Sequence, residues 1–264
     1  MCYRPDGLGR LAPMLGRTAA ILFISIGFVA HAEPDTPHAV FLIHEVEYET
    51  ARTLPTFARE ELERKRDWTC TFLIGNAPNK LPDLEALESA DLLVVSMRRQ
   101  VLPREQLDRI KAYCESGKAI VGLRTASHAF ALRRSRPDAG AEWPEFDAEI
   151  LGGNYTGHHP KDSPPVSYRR IEKAANHPIL KGISSGSHPT SSWLYNVSPL
   201  AKTAVPLMMG QVQGDAKLEP VAWTNVGIFG NRVFYTSLGH PDDFESEVFH
   251  RLLLNGILWA VESD

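Results

Sequence analysis

The feature that most constrains this chain is a regular alternation of short apolar runs with helix-forming stretches. Ala39-Val-Phe-Leu-Ile43, Trp68-Thr-Cys-Thr-Phe-Leu-Ile74, Asp91-Leu-Leu-Val-Val95 and Lys118-Ala-Ile-Val-Gly-Leu123 largely lack the polar alternation of a half-exposed strand. They read as strands, the first covered on both faces and the third buried. Between them lie Thr53 to Arg66, the short stretch Leu84 to Glu88, and Arg104 to Glu115, the last opened by Pro103 and closed by Gly117, an order of residues that suits helix ends. Strand and helix alternating at this spacing specify βαβ units, hence a mostly parallel sheet with helices on both faces. Beyond residue 130 the pattern loosens. Residues 133–165 are rich in Gly, Pro and His and read as loops around a short helix from Glu145 to Leu151; strands are expected at Pro206–Val212, Val221–Asn225 and Arg232–Ser237, and Phe244–Val261 is a closing amphipathic helix. With no repeat, low-complexity tract or linker, a single domain is expected.

That domain begins after the first 32 residues. Arg4, Arg10 and Arg17 precede an apolar run of 13 residues, Thr18 to Ala30, and Ala30-His31-Ala32 offers small residues at the −3 and −1 positions of a signal-peptidase site, so residues 1–32 read as an export signal cleaved before Glu33. A run of this length falls short of the roughly 20 residues needed to span a bilayer, and a periplasmic or extracellular protein without stable membrane insertion is expected. The signal holds three of the 28 Lys and Arg and one of the 32 Asp and Glu, which takes the formal charge from −4 for the chain to −6 for the mature 232 residues. An acidic chain with dispersed Lys and Arg has no footprint for nucleic acid. Cys70 and Cys114, on separate apolar elements, read as small buried hydrophobes rather than a disulfide.

In an open parallel sheet the carboxyl ends of the strands form the ligand crevice. The first strand delivers His44, Glu45, Glu47 and Tyr48 to it; the third delivers Ser96, Arg98 and Arg99; the fourth Arg124, Thr125, Ser127 and His128; and the strand ending at Leu238-Gly239 delivers His240, Asp242 and Asp243. The segment Leu123 to His128 occupies the strand-to-helix turn where α/β enzymes mount a nucleophile, but it carries neither G-x-S-x-G nor a cysteine. Neighbours on a helix lie about 100° apart, so Ser127 and His128 are not expected to serve each other as nucleophile and base. His158-His159-Pro160 follows the glycine-bearing loop Gly152–Gly157. With His240 these two imidazoles are candidate ligands of a divalent metal, although no H-E-x-x-H, C-x-x-C or H-x-H spacing specifies one.

Several strings resemble those of a known family. Val221-Ala-Trp-Thr224, Asn231-Arg-Val-Phe-Tyr-Thr-Ser-Leu-Gly-His240 and Phe249 through Trp259-Ala260 look like the C-terminal signature of the ThuA-like (trehalose-utilisation) family, and upstream Lys118–Phe130, Phe146-Asp-Ala-Glu-Ile-Leu-Gly-Gly153, His158-His159-Pro160 and Asn176-His177-Pro178-Ile179 follow in the family's order. The resemblance covers residues 39–261. It implies a flavodoxin-like three-layer α/β sandwich of the class I glutamine amidotransferase-like superfamily, without that superfamily's catalytic cysteine. It also implies carbohydrate utilisation, including disaccharides oxidised to keto sugars. Two positions depart from the family pattern: Arg124 stands where members often have His, and Ser192-Trp193-Leu194-Tyr195 where they have an acidic D-E-L-Y motif.

Two functions follow as expectations. In the first, an exported lyase or hydrolase acts on a disaccharide or its keto derivative, with His128 and His240 as acid and base and Arg124 as an electrostatic clamp. His44, His158, His159, Tyr195, Trp223 and Asp243 would bind substrate. In the second, the fold binds a sugar without turning it over. A glutaminase is excluded by the missing cysteine. The partner is a small carbohydrate in either case, and a homo-oligomer is compatible with both.

Overall fold

The computed structural model describes residues 36–134, 140–160 and 162–262; the expected export signal lies outside them. Five strands form the parallel half of the main sheet: β1 (His38–His44), β2 (Thr69–Ile74), β3 (Leu92–Met97), β4 (Ala119–Leu123) and, late in the chain, β11 (Arg232–Thr236). Their spatial order, β2-β1-β3-β4-β11, is the flavodoxin-like order, in which the winding reverses between the first and third strands. The sheet continues antiparallel from β11 through β10 (Leu218–Val226), β9 (Val205–Val212), β6 (Val166–Arg170) and β7 (His188–Thr190). A separate two-residue pair joins β5 (Gly157–His158) to β8 (Tyr195–Asn196).

The apolar runs do what their composition requires. Side chains alternate across a strand, and because both faces of β1, β3 and β4 are covered both sets are apolar there, whereas β2, at the sheet edge, stays partly exposed. Phe41, Ile43, Val94, Val121 and Leu123 face α1 (Thr50–Ala58) and α3 (Glu247–Val261), whereas Val40, Leu42, Leu93, Val95 and Ile120 face α2 (Arg104–Glu115) and the aromatic group Phe130, Trp143 and Phe146. Fully burying one such aliphatic side chain contributes about 1.5–3 kcal/mol, so the central strands contribute strongly to stability.

The differences from expectation are local. The first helix starts three residues before Thr53 and passes after Ala58 into a wider turn over Arg59–Arg64. The closing helix is interrupted, because His240-Pro241-Asp242-Asp243 caps a short turn of its own (Pro241–Glu245) and Ser246 then accepts from the Phe249 N–H to open α3. Strands β6 and β7 were not expected; Val166-Ser-Tyr-Arg-Arg170 alternates buried and more exposed residues near the sheet edge, and His188-Pro-Thr190 carries a proline that only an edge tolerates. Pro220 sits inside β10 at a register shift against β9, which spares a ladder bond there. Cys70 and Cys114 are both unpaired thiols, each pushed up to about 12, chiefly by burial. Among the described residues no helix is long and apolar enough to cross a membrane.

Candidate active site

The loops after β1, β3, β4 and β11 meet along the carboxyl rim of the sheet. Arg124, the first residue after β4, has φ 44 and opens a tight turn through His128. A side-chain-bearing residue in the left-handed region costs about 1–3 kcal/mol and persists only where its surroundings impose it. Here the Tyr235 hydroxyl donates to the Arg124 carbonyl at 2.6 Å, and Arg124 Nη1 donates to the Ser237 carbonyl at 2.7 Å. The chain thus turns at the end of β4 as sharply as the sequence suggested, with arginine in the place of a nucleophile.

The guanidinium is fully buried between two phenol rings, 4.0 Å from the Tyr48 centroid and 4.9 Å from that of Tyr195. Its Nε and Nη2 have no hydrogen-bond acceptor. Both rings are held by secondary contacts. The buried Glu45 carboxylate accepts from the backbone N–H groups of Glu47, Tyr48 and Thr50 and from the Thr50 hydroxyl, at 2.6–2.8 Å, fastening the loop that carries Tyr48. Tyr195 pairs with His158 across β5 and β8. Arg124 therefore connects two groups of rings: Tyr195 lies 6.1 Å from His128, and Tyr48 lies 6.3 Å from His240.

Beside this arrangement lies a cleft of about 550 Å³. Arg99, His128, Arg133, Asp147, Tyr155 and His158 supply its polar wall, and Phe130, Trp143 and Phe146 its floor. The His128 ring stacks on Tyr155 at 4.4 Å and 21°. Burial, with added repulsion from Arg99, Arg98, Arg124 and Arg133, pushes His128 down to about 2, so the imidazole is neutral throughout the physiological range. Contrary to the helical-spacing argument, the Ser127 hydroxyl comes within 3.1 Å of His128 Nδ1. The short hydroxyl needs to reach only the near nitrogen of the adjacent ring, and the turn is tighter than an α-helix.

Asp147 was not among the expected site residues. It opens a wide helical turn (Asp147–Leu151), and burial pushes its carboxyl up to about 7, with the Tyr155 N–H, donating to Oδ2 at 2.8 Å, opposing the rise. Oδ1 has no partner. A methyl group at Gly153 would stand 2.5 Å from Oδ1, so glycine is what leaves room for this carboxyl. The signal in the sequence is an acid within Trp143-Pro-Glu-Phe-Asp-Ala-Glu-Ile-Leu151, followed by two glycines.

The other expected residues divide. His158 lines the cleft, with its ring 5.2 Å from Trp193 and its Nδ1 2.7 Å from the His159 carbonyl. His159 faces a different cavity of about 180 Å³ beside Thr190 and Ser191, and its Nε2 is buried without a partner. Consecutive residues of an extended segment point to opposite sides, so His158 and His159 do not converge with His240 on one ion; among the described residues no three His, Cys, Asp or Glu side chains form a metal-ligand group. His240 is outside the cleft lining, and its Nδ1 accepts from the Asp242 N–H at 3.2 Å. Asp243, expected to bind substrate, is occupied in holding that loop: it accepts from Thr190 Oγ1, Ser192 Oγ, Gly239 N and His240 N at 2.6–3.0 Å. Trp223 is fully buried, donates from Nε1 to the Leu151 carbonyl at 2.7 Å and packs 4.3 Å from Tyr235, which makes it a core residue with no face for a sugar. His44 is buried against Gly75, outside the cleft lining, and burial lowers its proton affinity.

Residues 38–260 match the model of the ThuA family, described as trehalose utilisation. A ThuA-like protein from Bacteroides uniformis superposes with a TM-score of 0.62 at 18% identity, covering 89% of this chain and 96% of its own. A ThuA-like protein from Parabacteroides merdae gives 0.62 at 18%, covering 86% and 90%. A glutamine amidotransferase from Thermotoga maritima gives 0.53 at 13%, covering 86% and 99%, a likeness of fold. No curated protein matches at a significant level.

Proposed function

The chain belongs to the ThuA family of trehalose utilisation, and from that premise we propose an enzyme that acts on a disaccharide or its keto-sugar derivative by proton transfer in the 550 Å³ cleft. The observation that carries the reading is Asp147, a cleft carboxyl held at about 7, where a group is poised both to take and to give a proton at neutral pH. Cleaving a glycosidic bond beside a ketone needs a base for the activated C–H, a positive group for the enolate oxygen, and an acid for the departing oxygen. Asp147 is the base, and its proton, once taken up, is available to the leaving group. Arg99, beside the Tyr155 hydroxyl, holds the enolate.

The acid/base role expected of His128 passes to Asp147, because an imidazole held at about 2 is too weak a proton acceptor at pH 7. His128 instead orients substrate through a neutral hydrogen bond, and His158 and Tyr155 present ring faces to the sugar. The protein is exported after cleavage before Glu33 and meets its carbohydrate outside the cytoplasm.

Incubation of the purified chain with 3-keto-trehalose and trehalose, followed by chromatography, tests the reading. Turnover of the keto sugar is expected, falling about 10²–10⁴-fold in Asp147→Asn. Calorimetric binding of either sugar with no product over hours would replace the enzyme by a sugar-binding protein.

A further inference from the structure

The cleft is charged unlike the chain that contains it. The chain carries 28 basic against 32 acidic residues, yet Arg99 and Arg133 line the cleft and Arg124 lies behind it against Tyr195. Arg98, next in sequence, is paired with Glu47 at 2.9 Å; Arg99, Arg124 and Arg133 have no carboxylate partner among the described residues. Arg99 Nε is buried without an acceptor, and its backbone is held in the left-handed region (φ 53) by a 2.9 Å bond from its N–H to the His128 carbonyl. Asp147 is the one carboxylate among the lining residues, and burial favours its neutral form. A guanidinium nitrogen buried without an acceptor, as at Arg99 Nε, is costly unless an anion arrives to meet it, and the planar forks of Arg99 and the exposed Arg133 fit carboxylate and phosphate oxygens two at a time.

We propose that the ligand of this cleft carries an anionic group, a phosphate or a carboxylate, that docks on Arg99 and Arg133, which makes its substrate class an acidic sugar. Arg99 comes from the loop after β3 and Arg133 from the segment after the β4 turn, so the anion bridges two elements while the sugar ring extends toward Tyr155 and His158. The proposal rests on the carbohydrate reading above and adds the charge of the substrate. It has a consequence inside the site: an anion on the arginines offsets the repulsion that they add to the burial of His128, so the proton affinity of that imidazole rises on binding.

Isothermal titration calorimetry of the full mature chain at pH 7 with glucose 6-phosphate, glucuronate, trehalose and inorganic phosphate tests this. One of the two acidic sugars is expected to bind at least about tenfold more tightly than trehalose, with affinity falling as salt is added; which of the two wins identifies phosphate or carboxylate. Arg133→Gln and Arg99→Gln are each expected to weaken that binding about tenfold, Arg133→Gln leaving trehalose unaffected, and Arg99→Lys to restore part of it. Arg133 is exposed, so its variant keeps the fold and carries the test even where Arg99→Gln does not. Trehalose binding as tightly as both acidic sugars, or acidic-sugar binding unchanged in the variants, overturns the anionic substrate and leaves the carbohydrate reading standing. Inorganic phosphate bound without any sugar sustains the anion site and overturns the carbohydrate reading; no binding by any probe overturns both.

Discussion

Replacing Asp147 by asparagine separates the stability of this site from its chemistry. The carboxyl rises from 3.8 in the unfolded chain to about 7 in the folded one, so between those values the folded state keeps a proton that the unfolded state has released. Stability tied to this group is therefore fully present below pH 4, is lost as pH rises toward 7, and stays lost above it. The gap corresponds to about 4 kcal/mol at pH 8. Asparagine is neutral at every pH and can still accept from the Tyr155 N–H, but its amide N–H₂ stands where Oδ1 has no partner, which costs about 1–2 kcal/mol. The variant is thus expected to be more stable than the wild type by about 2–3 kcal/mol at pH 8, roughly 5–10 °C in Tm for a domain of this size. It is expected to be slightly less stable below pH 4. Thermal melts of both proteins from pH 4 to 9 measure the difference. A Tm for Asp147→Asn below that of the wild type at pH 8, or a gap that does not change with pH, would refute the reasoning.

Other expectations follow from the same contacts. Gly153→Ala sets a methyl 2.5 Å from Asp147 Oδ1 and is expected to cost about 1–3 kcal/mol in denaturant unfolding and to lower turnover with it. Tyr235→Phe removes the 2.6 Å bond to the Arg124 carbonyl and is expected to cost about 1–2 kcal/mol, while loosening the turn that carries His128. In the free protein the His128 ring is expected to show no titration by NMR between pH 8 and 4, since it is held at about 2; a midpoint between 5 and 7 would contradict its burial beside the arginines. Cys70 and Cys114, both pushed up to about 12, are expected to resist thiol reagents at pH 8 until the protein unfolds. N-terminal sequencing of the exported protein is expected to begin at Glu33.

What could be read in the sequence was what depends on local pattern. Strands β1, β3 and β4 announce themselves because burial on both faces leaves continuous apolar runs, β2 by the apolar end Phe72-Leu-Ile74 although it is a partly exposed edge, and α2 because Pro103 and Gly117 mark its ends. Strand β6 and the edge strand β7 carry mixed side chains and a proline, so their order comes from pairing with β9 and with each other, which no local window contains. Topology alone delivers Arg99, Arg124 and His128 to one neighbourhood, because each follows the carboxyl end of a parallel strand; His158 and Tyr195 come from β5 and β8, outside that map. Position along the chain does not give the environment: burial, with added repulsion from Arg99, Arg98, Arg124 and Arg133, makes His128 a poor base, and both exist only in three dimensions. Asp147 escaped notice for the complementary reason: its proton affinity is set by burial under residues distant in sequence. That His158 and His159 face different cavities follows from a rule as simple as the one that found the strands, the alternation of side chains along extended backbone.

The central claim is that Asp147 moves the proton. Its most direct test is the pH dependence of kcat/KM for 3-keto-trehalose turnover. The account expects a limb with a midpoint near pH 7, matching the carboxyl at about 7, and the disappearance of that limb from the residual activity of Asp147→Asn. A rate flat from pH 6 to 8, or a limb that survives the substitution, would contradict it.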